Sequence, residues 1–188
     1  MKLKKPQYSS SSKLRSSIPK PDRKSVLLLV HLQNDFCPGG ALAVDKGDEV
    51  IPVANEWIQF FASEGFPIVA TRDWHPSNHC SFTAQGGPWP LHCVQGSLGS
   101  QFHPKLKMSP GTLIVSGATK PTEEAYSGFQ GTSLEDRLED LEAETLYVIG
   151  LATDYCIKQT VLDACRLGFR VVLLQDGVRG IDVQADDS

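Results

Sequence analysis

Three side chains could together hold a metal ion. Asp73 and His75 lie two positions apart in the run Asp73-Trp74-His75-Pro76-Ser77-Asn78-His79. His92 follows in the same segment, after Gly86-Gly87-Pro88-Trp89-Pro90. One carboxylate and two imidazoles suit a first-row divalent ion such as zinc, iron or manganese, with water in the remaining positions. The same spacing is compatible with a His-rich polar loop that folds back on its own hydrogen bonds.

Cys156 is the second candidate. It closes the segment Gly150-Leu151-Ala152-Thr153-Asp154-Tyr155-Cys156, which follows an apolar stretch and opens a helical one. In the first turn of a helix, free N–H groups and the helix dipole favour a thiolate, a nucleophile at neutral pH. Thr153 or Asp154 could cap that turn, and the same N–H groups could hold an oxyanion. Cys165, in the body of the same expected helix, reads as core packing. Core packing is also the plain alternative for Cys156.

The elements that must position these residues alternate along the chain. Apolar runs at Val26–Val30, Pro67–Thr71, Thr112–Val115, Thr145–Ile149 and Arg170–Leu174 have the length of strands. Helical spacing appears over Glu49–Phe61, Ser133–Ala143 and Asp154–Leu167, with Gly168 placed to end the last. Continuous apolar strands between helices imply an α/β fold with a mostly parallel sheet covered on both faces. Two stretches, Asp73 to Gly111 and Ala118 to Gly131, are too long for economical connections and are expected to be functional. Parallel sheets place ligands at the carboxyl ends of their strands, where His31, both long stretches and the Cys156 segment all begin.

Composition narrows the classes. The chain has 188 residues, 40% of them apolar, enough for one well-buried core. Its longest apolar run has five residues, against the roughly 20 needed to span a bilayer, so no membrane role is expected. The net charge of −4 is unevenly spread. Residues 1–24 carry eight bases and one acid, and the remainder carries ten bases and 21 acids. An acidic body argues against nucleic acid as a partner. The basic, Ser-rich segment 1–24 is expected to be a disordered tail, and its composition also fits an organelle-targeting peptide. Five scattered cysteines without a CxxC pair fit a reducing compartment, and the cytoplasm is the expected location.

A resemblance then becomes specific. The segments Gln33–Gly40, Thr71–Phe82, Gly86–Gly96, Glu124–Phe129 and Gly150–Cys156 keep the order seen in nicotinamidases (pyrazinamidases) of the isochorismatase-like cysteine hydrolases. The resemblance implies a three-layer α/β/α domain over residues 25–188 and a part in NAD salvage. The implied reaction deamidates nicotinamide, or a pyrazinamide-like substrate, to the acid and ammonia. Cys156 would be the nucleophile, and the Ala152 and Cys156 N–H groups would hold the oxyanion beside a cis Leu151–Ala152 peptide. Asp73, His75 and His92 would bind one divalent ion, zinc foremost, that engages the pyridine nitrogen. Phe36, Trp89 and Tyr126 would wall the ring slot.

The chain departs from that family at two positions. His31 stands where the family has a catalytic Asp, in Val30-His31-Leu32-Gln33-Asn34-Asp35-Phe36, and Gly117 stands where it has a Lys. The Asp manages the thiol proton, and the Lys lowers the thiol pKa and orients the Asp. Impaired turnover is therefore expected. A Cys156–His31 dyad amidase and a non-catalytic, metal-dependent binder of pyridines are the alternatives. Lys120 has poor reach to the vacated Lys position. The family also continues into a further helix that covers the sheet. Its apparent lack here implies either a partner copy in a homo-oligomer or a shortened chain.

Overall fold

The computed structural model describes residues 18–181. Most of the expected tail, residues 1–17, lies outside the described residues, as does the terminal stretch 182–188 on which the missing-helix expectation bears. Residues 18–24 touch the body. Ile18 packs on the core, and the Tyr147 hydroxyl donates to the Pro19 carbonyl at 2.7 Å.

Five strands form one parallel sheet: β1 (Ser25–Val30), β2 (Ile68–Asp73), β3 (Leu113–Gly117), β4 (Thr145–Leu151) and β5 (Arg170–Arg179). Their spatial order is β3-β2-β1-β4-β5, so the winding reverses between β1 and β4. Every residue of β1 is buried, because both faces of this central strand are covered. Leu27 and Leu29 face α1 (Val50–Glu64), packing with Ile51, Ala54, Trp57 and Phe61. Val26, Leu28 and Val30 face the other way, toward Leu134 and Leu138 of α2 (Leu134–Asp140) and Ala164 of α3 (Lys158–Arg166). The alternation of a strand thus divides one apolar run between two cores and gives the three layers. Truncating a residue such as Leu29 to Ala would cost about 2–5 kcal/mol.

Element boundaries differ from the sequence expectation, among them those of β5, α2 and the third helix. β5 continues to Arg179, past the expected end at Leu174. A register shift between Val148 and Gly150 on β4 lets Gly150 pair with Val178, carrying the ladder beyond the polar Gln175 and Asp176. α2 stops at Asp140, and Glu142 takes a left-handed backbone (φ 51). Acidic residues at a helix C-terminus oppose the dipole, which favours the early stop. The third helix begins as a π-turn over Thr153–Ile157, closed by the Ile157 N–H on the Ala152 carbonyl at 3.0 Å, before α3 proper.

Candidate active site

The site lies at the carboxyl ends of the strands, around the β1/β4 reversal. Asp73 is the last residue of β2, His31 follows β1, and Cys156 sits in the π-turn after β4. His75 and His92 come from the long loop between β2 and β3, which a bridge between His75 and Val94 folds back over the sheet edge. The Leu151–Ala152 peptide is cis, as the resemblance implies.

Asp73, His75 and His92 each offer one ligand atom, and these atoms lie within 4.8 Å of one another with all three residues buried. Asp73 Oδ2 is 3.7 Å from His75 Nε2. Both imidazoles are turned by outer partners: His75 Nδ1 contacts the Ala118 carbonyl at 3.2 Å, and His92 Nδ1 the Pro90 carbonyl at 2.7 Å. Each Nε2 is thereby left for the site, the usual arrangement of a metal-binding histidine. Gln33 fixes the carboxylate's backbone. Its Nε2 donates to the Asp73 carbonyl at 2.8 Å, and its Oε1 accepts from the Asp73 N–H at 2.8 Å. The residues present therefore fit a divalent ion. His79 does not join them; its ring nitrogens contact Ser81 Oγ and the Glu123 carbonyl while the ring stacks on His75.

Burial alone would raise the Asp73 carboxyl, yet the imidazoles of His31, His75 and His92 hold it down to about 2. Burial lowers His75, but the Asp73 carboxylate outweighs it and leaves that imidazole raised. His31 and His92 are lowered by burial.

The nucleophile candidate departs from the expectation of a thiolate. Burial first, then the Asp73 carboxylate, push the Cys156 thiol well above its ordinary value, against a hydrogen bond from the Ala152 backbone. No cation offsets these effects at the expected Lys position, because Gly117 carries no side chain. Neither Thr153 nor Asp154 caps the turn; the Asp154 carboxylate accepts instead from the Ile181 N–H at 3.1 Å. Cys165, expected in the core, is exposed, because α3 buries Thr160 and Ala164 on its inner face.

His31 is 3% exposed with a left-handed backbone (φ 49), uncommon outside glycine. Among the described residues its Nδ1 has no hydrogen-bond partner, and it lies 3.6 Å from Asp73 Oδ2, too far for a hydrogen bond. Lys120 is spent at the surface, where its Nζ pairs with Glu123 at 2.9 Å.

Cys156 and the three metal-ligand candidates open onto a cleft that Phe36, Trp89, Tyr126 and Ala152 also line. Trp89 Nε1 donates to the Tyr126 hydroxyl at 2.9 Å, tying two of the expected walls together. Leu42, Glu124, Tyr155 and Ile181 also line the cleft and were not singled out from sequence. Tyr155, edge-on to Trp89, had adjacency to Cys156 as its signal; Leu42 and Ile181 had none.

Residues 25–188 match the model of the isochorismatase domain. The chain belongs to the isochorismatase family. It is 46% identical over 183 residues to a nicotinamidase of Escherichia coli, with 86% of each chain covered. Among solved structures it is similar to the pyrazinamidase of Pyrococcus horikoshii in complex with zinc. That match has a TM-score of 0.83 at 48% identity, covering 87% of this chain and 89% of that one. It is also similar to an L. infantum protein in complex with nicotinate, with a TM-score of 0.81, 36% identity, and coverage of 88% and 86%.

Proposed function

We propose that this isochorismatase-family chain is a nicotinamide amidohydrolase whose turnover is held low by His31 and Gly117. The carrying observation is the buried group of Cys156, Asp73, His75 and His92 around one aromatic-walled cleft, in a chain 46% identical to a nicotinamidase. The flat ring enters between Phe36, Trp89 and Tyr126. Cys156 Sγ attacks the carboxamide carbon, and backbone N–H groups at Ala152 and Cys156 receive the developing oxyanion. The amine leaves with a proton, and water then splits the thioester to release the acid. A divalent ion on Asp73, His75 and His92, zinc being the ion in the Pyrococcus relative, would hold the ring nitrogen directly or through water.

Two proton-handling positions are altered. Where the family resemblance places a carboxylate to take the thiol proton, His31 presents an Nδ1 with no hydrogen bond to the sulfur or to any other group. Where it places a lysine, Gly117 leaves the thiol without a neighbouring cation. Positioned acid–base groups contribute ~10²–10⁴-fold, which sets the size of the deficit.

The test is ammonia release from nicotinamide by the zinc-loaded chain and by the paired variant His31→Asp/Gly117→Lys. Slow release by the former and a rise of ~10²–10⁴-fold in the latter is the expected result. Full activity in the unaltered chain would support the Cys156–His31 dyad instead. No release from either, with nicotinamide still bound, would leave the chain a binder.

A further inference from the structure

We propose that His31, Asp73 and Cys156 form a second cation site, lying beside the Asp73, His75 and His92 set and sharing its carboxylate. A ring nitrogen of His31, a carboxylate oxygen of Asp73 and the Cys156 sulfur all lie within 4.8 Å of one another, and all three residues are buried. The 3.6 Å between His31 Nδ1 and Asp73 Oδ2 exceeds a hydrogen bond. It is close to the edge of a coordination tetrahedron, about 3.3 Å for bonds of about 2.0 Å. The same Nδ1 has no hydrogen-bond partner although the residue is almost wholly buried. A buried polar nitrogen left unpaired is costly, and a cation held between imidazole, carboxylate and sulfur satisfies it.

The donor set is particular to this chain. A carboxylate at position 31 would make the group two oxygens and a sulfur. The imidazole makes it nitrogen, oxygen and sulfur, a combination suited to zinc. On binding, the Cys156 thiol releases its proton to solvent as the metal–sulfur bond forms, and no electron changes hands. The shared carboxylate places two ions side by side, as in binuclear centres where they stand about 3.5–4 Å apart. Sulfur bound in this way is not free to attack a carboxamide, so the second ion acts as a brake on the nucleophile.

Cobalt titration of the full chain, with no substrate present, tests this apart from any question of turnover. The expected result is two Co²⁺ per chain and a near-ultraviolet thiolate-to-cobalt charge-transfer band. Cys156→Ser should bind one ion without the band, and His31→Ala should weaken the band-forming site at least about tenfold. His75→Ala/His92→Ala should keep the band with one ion. Circular dichroism reports whether each variant folds; if the double variant does not, the unaltered chain and the two single variants decide. Saturation at one ion with no band overturns the proposal. So does a band undiminished in His31→Ala, which would place the sulfur on the ion held by His75 and His92.

Discussion

The two halves of the site are built to different standards. On one side, each imidazole facing Asp73 has its far nitrogen on a backbone carbonyl, and Gln33 grips the Asp73 backbone from both directions. On the other side, the buried thiol faces a carboxylate, His31 Nδ1 has no hydrogen-bond partner among the described residues, and position 117 has no side chain. Outer partners hold ligands in place and are what make a metal site tight. Among the described residues no such outer hydrogen bond holds His31 Nδ1. One sheet edge thus carries side chains fixed from behind beside one that is buried without a hydrogen bond at its inner nitrogen.

The sharpest way to break this contrast is to repair the weaker half. In the His31→Asp/Gly117→Lys background, Cys156→Ala should lower ammonia release on the order of 10⁴–10⁶-fold while leaving zinc bound, as read by elemental analysis. Retained activity would remove Cys156 from the chemistry. A Cβ on Gly117 would meet Thr132 Cγ2 at 3.7 Å and the Arg72 carbonyl at 3.9 Å, ordinary contacts, so a side chain can begin at that position.

The better-built half is tested next. His92→Ala should weaken zinc at the Asp73 and His75 set by more than about 100-fold, since loss of an outer partner alone costs 10–100-fold. Competition against a chelator measures it. A smaller effect comes from Gln33→Leu, which leaves buried backbone groups at Asp73 and Ser100 unpaired. Urea unfolding of the metal-free chain should show a loss of about 1–3 kcal/mol. The smallest concerns Lys120→Ala. Its exposed pair with Glu123 is worth less than about 1 kcal/mol, and ammonia release should not change. A marked drop in turnover would show that Lys120 reaches the vacated lysine position after all.

Much of this was legible in the sequence where the signal was local. The buried strands read as continuous apolar runs, while the type and spacing of Asp73, His75 and His92 left a ligand set and a self-bonded polar loop both open; the structure brings the three side chains together. What was not legible depended on neighbours distant in sequence. The extension of β5 rests on a register shift in β4, which no apolar pattern in Arg170–Arg179 records. The raised Cys156 thiol reflects full burial and a carboxylate from another strand, whereas the sequence offered only a helix start. Cys165 was misplaced because one residue's rotation along α3 separates an inner position from an outer one. Any significance of Gly117 rests on the family resemblance, since a glycine at a strand end carries no signal by itself.

Asp73, His31 and the Cys156 turn follow three adjacent strands, β2, β1 and β4, and neighbouring strands are held about 4.8 Å apart by backbone hydrogen bonds. The lateral spacing of these three positions is therefore a ruler cut into the main chain, indifferent to which side chain occupies each mark. His31 occupies the middle mark. A side chain at any of these marks can be exchanged with the frame left undisturbed.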